Sequence, residues 1–217
     1  MSRQHGETTT MKTLYIFLTR SGTLLSNLVY SLTGAQYTHV SLAFDEDLST
    51  LYSSTRKNGY TMFPAGPSRE YLNRGVFLMR ENIPCALYAL EVSEEAYTCA
   101  RRRADHMMAH GNLYRFNVLG LILCGLHIRW RRRRHYFCSQ FVGEVLEKSG
   151  ALELPKHSTL MHPNDYTTLQ DLHCVYEGRL SGLPQRQNMD FGGDETVVSV
   201  YLGLALGLVK AGVRQIF

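Results

Sequence analysis

Cys138 stands where a cysteine can act as a nucleophile. The stretch Phe137 to Ser149 puts Phe141, Val142, Val145 and Leu146 on one side and Glu144, Glu147 and Lys148 elsewhere, and Gly150 ends it. That is the period of an amphipathic helix with its stop signal, and it sets Cys138 in the first turn. A thiol there meets the positive end of the helix dipole and unpaired backbone N–H groups. Such positions draw a cysteine pKa from about 8.5 toward roughly 3.5 to 7.5. The same N–H groups can hold the oxyanion of a tetrahedral intermediate. The other four cysteines, Cys85, Cys99, Cys124 and Cys174, make an odd total of five with no C-x-x-C pair. Neither a disulfide framework nor a zinc ribbon is indicated, and a reducing compartment is expected.

A cysteine nucleophile needs a base, and His39 is the candidate. It lies in Thr38 to Phe44, whose alternating pattern predicts a strand, and a strand can aim an imidazole at a neighbouring helix terminus. After the turn Asp45-Glu46-Asp47, a second run, Thr50 to Lys57, leads to Asn58-Gly59 and predicts an antiparallel partner. A polar residue on that partner can bond the distal ring nitrogen and fix its tautomer, as the third member of a triad does. Ser53 is the first choice, with Ser54 or Thr55 next.

The segments THVSLAF (Thr38 to Phe44), LYSSTRK (Leu51 to Lys57) and YFCSQFVGEVLEKSG (Tyr136 to Gly150) resemble the permuted papain-like cysteine hydrolases of NlpC type, in particular their YiiX-like branch. The resemblance covers roughly Lys12 to Leu160. In that group the histidine strand precedes the cysteine helix, as His39 precedes Cys138 here. The resemblance implies an α+β fold, a five- or six-stranded antiparallel sheet packed on helices. It also implies Cys138 as nucleophile, His39 as base and a third residue on the following strand. That residue is often Glu in relatives, and in this sequence Ser53 is expected to fill the place. The implied activity is an amidase, esterase or thioesterase working through an acyl-enzyme, or an acyltransferase if another nucleophile than water resolves that intermediate. A serine in place of an acid also keeps open a non-catalytic module of the same fold that binds a peptide or lipid.

The remaining elements must position these groups. The chain has 217 residues, is 44% hydrophobic and 19% charged, which suits one globular domain over 12–185 after a flexible segment 1–11 and before a C-terminal extension, 186–217. Lys12 to Thr19 predicts a strand and Leu24 to Leu32 a helix ending at Gly34. Gly75 to Arg80 and Cys85 to Val92 predict strands on either side of a short break, following a loop with Pro64, Gly66 and Pro67. Ser93, followed by Glu94 and Glu95, caps a helix running to about His110, and Leu113 to Leu126 is apolar and partly helical.

Charge is uneven. The net is +4, but Tyr97 to Phe137 holds nine arginines against Asp105, so that segment carries +8 and the rest −4. Arg129, Arg131, Arg132, Arg133 and Arg134, with Trp130 among them, must face solvent or a partner, because unpaired arginines are not buried. An anionic substrate or membrane surface suits them better than nucleic acid, for which no binding motif is present. His106 and His110 share a helix face but lack the Glu of H-E-x-x-H and a third ligand. No nucleotide or phosphate loop occurs, so no cofactor and no metal are expected. The apolar patch Leu14 to Leu18 is too short for a secretory signal. No uninterrupted apolar run is long enough for a bilayer span; Thr196 to Val209, an uncharged run of 14 residues, comes closest. The expected setting is cytoplasmic, peripheral to a membrane if the arginines engage one.

Overall fold

The computed structural model describes residues 10–22, 24–56, 65–187 and 189. The apolar run Thr196 to Val209 and most of the N-terminal segment lie outside them. Within them the fold is α+β. Strands β1 (Met11–Thr19), β2 (His39–Ala43), β3 (Leu51–Arg56), β4 (Ala65–Glu70), β5 (Pro84–Ser93) and β8 (His173–Arg179) form one sheet in the order β4-β3-β2-β1-β5-β8. Every ladder in it is antiparallel. The other two strands, β6 (Arg115–Phe116) and β7 (His135–Tyr136), pair in parallel beside it.

Strand alternation gives the sheet two apolar faces, and both are covered. Leu14, Ile16 and Leu18 of β1, Val40 and Leu42 of β2 and Ala86, Tyr88 and Leu90 of β5 pack with helices α3 (Glu94–Ala109) and α5 (Cys138–Lys148). The intervening residues Phe17, Ala43, Leu51, Cys85 and Leu87 turn the other way, onto Phe77, Leu180 and Leu183. His39 and Ser41 alternate with Val40 and Leu42, and therefore belong to this second face. Glu70 joins them there, because it sits opposite Leu51 in the β3–β4 ladder.

Helices α1 (Leu24–Thr33), α2 (Gly75–Met79), α4 (Val118–Gly125) and α6 (Pro184–Gln187) complete the framework. The expected Ser93 cap is present, its hydroxyl accepting from the Ala96 N–H at 3.2 Å. Two elements differ from expectation. Gly75 to Met79 is a helical turn rather than a strand, since a five-residue apolar run carries no period that separates the two. The segment expected to be a loop, with Gly66 and Pro67, is β4. It is the sheet's edge strand, where a proline costs no ladder bond on its open side.

Asn117 fastens α4 to α5. Its Oδ1 accepts from the Gly120 N–H at 3.0 Å, and its Nδ2 donates to Gln140 Oε1 at 3.2 Å. A Cβ on Gly120 would stand 2.1 Å from that Nδ2, so Gly120→Ala must expel the cap. The helix propensity gained, about 1 kcal/mol, is outweighed by the lost cap and the stranded Gln140 amide. A net loss of about 1 to 2 kcal/mol in denaturant unfolding is expected; a stabilised variant would contradict this account of Gly120.

Candidate active site

Cys138 opens α5, as the periodicity requires. Phe137 before it is extended (φ −98°, ψ 171°) and fully buried. The entry to the helix is pinned from several sides. Tyr136 O accepts from Ser54 Oγ at 2.7 Å and from the Asn117 N–H at 3.1 Å. Ser139 Oγ donates to Met161 O at 2.6 Å, and Tyr166 Oη donates to Ser139 O at 2.9 Å. A helix start held this firmly presents its first-turn N–H groups and its cysteine in one fixed direction.

His39 begins β2 at the end of the sheet nearest that helix start. Its Nε2 lies 2.8 Å from Glu70 Oε2, and Ser41 Oγ donates to the same carboxylate oxygen at 2.8 Å. With Nε2 so engaged, Nδ1 is the nitrogen left for the Cys138 sulfur. Burial of the ring works against its charge, but is outweighed by the Glu70 carboxylate, by hydrogen bonds to Cys138 and Glu70 and by the pull of the Cys138 sulfur. The His39 pKa is raised to about 10, so the imidazolium is the form present at neutral pH.

Ser53 does not take the third place. Its hydroxyl donates to Val40 O at 2.7 Å and is fully buried. It lies on the same sheet face as Leu51, but a serine is too short to cross to the ring, and it serves the neighbouring strand's carbonyl instead. Ser54 is spent on Tyr136 O; Thr55 lines the cavity beside His39. The residue that holds the imidazole is Glu70, on the strand that composition had disguised as a loop. Ser53→Ala is therefore expected to cost about 1 kcal/mol of stability while leaving the His39 titration, followed by NMR, where it was.

A second cysteine and histidine meet nearby and supply a contrast. Cys124 Sγ lies 3.6 Å from His162 Nε2. Burial pushes the Cys124 thiol up to about 12, and burial also lowers the His162 pKa. Both groups are held neutral, so proximity alone does not make a nucleophile. What separates His39 from His162 is the carboxylate bonded to it. Cys85 is likewise pushed up to about 12 by burial.

Cys138, His39 and Glu70 line a cavity of about 40 Å³, shared with Thr19, Phe77 and Leu121. Thr19 faces His39 across the β1–β2 ladder, and its buried Oγ1 has no partner among the described residues. Those residues contain no cluster of three or more His, Cys, Asp or Glu side chains suited to a metal, and no helix long and apolar enough to cross a membrane. Comparison of the chain with protein-family models and with curated proteins found no match.

Proposed function

We propose that this chain is a cysteine hydrolase of the permuted papain-like type, cleaving an amide, ester or thioester through an acyl-enzyme. The observation that carries the reading is that His39, bonded to Glu70 at 2.8 Å, lines one small cavity with Cys138 at the N-terminus of α5, and that this half-buried imidazole has its pKa raised to about 10. With its proton already passed to His39, the Cys138 thiolate attacks the substrate carbonyl and the C–S bond forms. The oxyanion is met by the first-turn N–H groups of α5. His39 gives its proton to the leaving nitrogen, oxygen or sulfur as that bond breaks. Water then attacks the thioester, yielding a proton to His39, and the C–S bond breaks to release the acid. Glu70 keeps the ring oriented and stabilises its positive form throughout. Thr19 Oγ1 offers a hydrogen bond to a polar atom of the substrate close to the reacting carbonyl.

The rival reading, a binding module without chemistry, drew on a serine standing where an acid belongs. Glu70 bonded to His39 favours the catalytic reading over it. The test is alkylation by iodoacetamide at pH 6, read by peptide mass spectrometry. Cys138 should be modified ahead of Cys99 and Cys174, which are the more accessible thiols, and His39→Ala should erase the preference. Modification of Cys138 no faster than Cys174 would sink the proposal.

A further inference from the structure

Helix α4 has no polar side chain except the Cys124 thiol, yet among the described residues only one side of it is covered. Gly120, Leu121 and Cys124 are buried. Leu119 and Leu126, seven apart on the opposite side, are 52% and 59% exposed, with half-buried Ile122 and Leu123 between them. An apolar helix belongs in a core or in lipid, and among the described residues nothing forms a core over this side. The chain beyond it extends the same surface. His127 adopts a left-handed conformation (φ 59°), its N–H donating to Cys124 O, and the Ile128 N–H turns back to Leu123 O at 2.8 Å. Ile128 and Trp130 are thereby 49% and 42% exposed beside the helix end.

Arg129, Arg131, Arg132, Arg133 and Arg134 are interleaved with and follow these apolar groups, and all are exposed. The closest carboxylate to any of them among the described residues is Glu144, 3.8 Å from Arg131. The far end of the loop is tied down by the Arg115 N–H on Arg134 O at 2.9 Å, so the arginines are presented from a fixed base. Apolar side chains projecting beside a belt of cations are the pattern of an interfacial membrane anchor.

We propose that the surface from Leu119 to Arg134 docks on an anionic lipid bilayer, Leu119, Leu126, Ile128 and Trp130 entering the headgroup boundary while the arginines engage lipid phosphates. A nucleic acid would satisfy the arginines but leave three exposed aliphatic side chains without a partner. Leu121, on the covered side of α4, lines the cavity at Cys138, so docking brings the candidate active site to the membrane. The docking itself requires no chemistry at Cys138.

Trp130 is the chain's one tryptophan, and its fluorescence reports the surface directly. The full chain is titrated with vesicles of phosphatidylcholine alone and of phosphatidylcholine mixed with phosphatidylglycerol. With the anionic vesicles at low salt, emission should shift to the blue and be quenched by brominated acyl chains. Each arginine near the surface contributes roughly fivefold to partitioning, so Arg132→Glu with Arg133→Glu should weaken binding at least tenfold, as should high salt. Leu126→Ser with Ile128→Ser should abolish the blue shift, and Cys138→Ala should bind as the parent does. Circular dichroism of each variant verifies its fold. Three results overturn the proposal: no binding to anionic vesicles at low salt, binding to single-stranded RNA with none to vesicles, or Trp130 emission already blue-shifted in the protein alone, which would mean that another part of the chain or a second copy covers the surface.

Discussion

Cys138→Ala should lower acyl transfer by a factor of roughly 10⁴ or more, because losing the nucleophile leaves only binding and oxyanion stabilisation. The fold should survive. Alanine is the best helix former and adds no polar atom to a position that is buried in the parent. The partners that hold the start of α5, Ser54, Asn117, Ser139 and Tyr166, all bond backbone carbonyls and none needs the sulfur. Cys138→Ser should be nearly as inactive, since an isosteric hydroxyl is a much weaker nucleophile than a thiolate. Turnover of an activated ester and a thioester, read beside the thermal unfolding midpoint of each variant, separates chemistry from stability. Retained turnover in the alanine variant would remove Cys138 from the reaction.

Glu70→Gln is the second large effect. The amide still reaches His39 but carries no charge, so the main force holding the imidazolium is lost. We expect kcat/KM to fall by about 10² to 10⁴. The pH dependence should change in a defined direction. With His39 raised to about 10, the parent keeps its imidazolium through neutral pH, and its alkaline limb falls near 10. In the glutamine variant that limb moves down toward the ordinary histidine range. Stability follows the same linkage. The raised pKa means that the contribution of His39 is complete below about 6.5, its unperturbed value, and is lost progressively as pH climbs to about 10. Glu70→Gln should flatten that loss. An alkaline limb unmoved by the substitution would show that another group sets the His39 titration. Ser53→Ala, by contrast, should leave the profile in place.

The difference between those two variants shows what the sequence could and could not disclose. The helix of Cys138 was legible because Phe141, Val142, Val145 and Leu146 repeat with a helical period. The strand of His39 was legible because its residues alternate. Glu70 was hidden by its neighbours: Gly66 and Pro67 read as a loop, and only the position of β4 at the sheet edge makes them tolerable in a strand. Missing that strand left Ser53 as the nearest polar candidate on the adjacent one. Which face a side chain takes can be read from alternation; how far it must reach across a twisted sheet cannot, and there glutamate exceeds serine by a methylene and a carboxyl carbon. The run Gly75 to Met79 was misread for a related reason, since five apolar residues fit a strand and a helical turn equally.

Strands β1 to β4 follow one another in both chain and sheet, and this has a consequence for how the protein is made. Contacts between neighbours in sequence form early, and a chain leaves the ribosome from its N-terminus. The pairing of His39 with Glu70 needs nothing beyond residue 70. Cys138 follows only 68 residues later, and its helix completes the other face of the same sheet. A growing chain thus assembles His39 and Glu70 before the proposed nucleophile has been made. The Cys138 thiol meets His39 only when α5 docks, so on the proposed mechanism nascent and half-finished chains lack the pair that would do the chemistry.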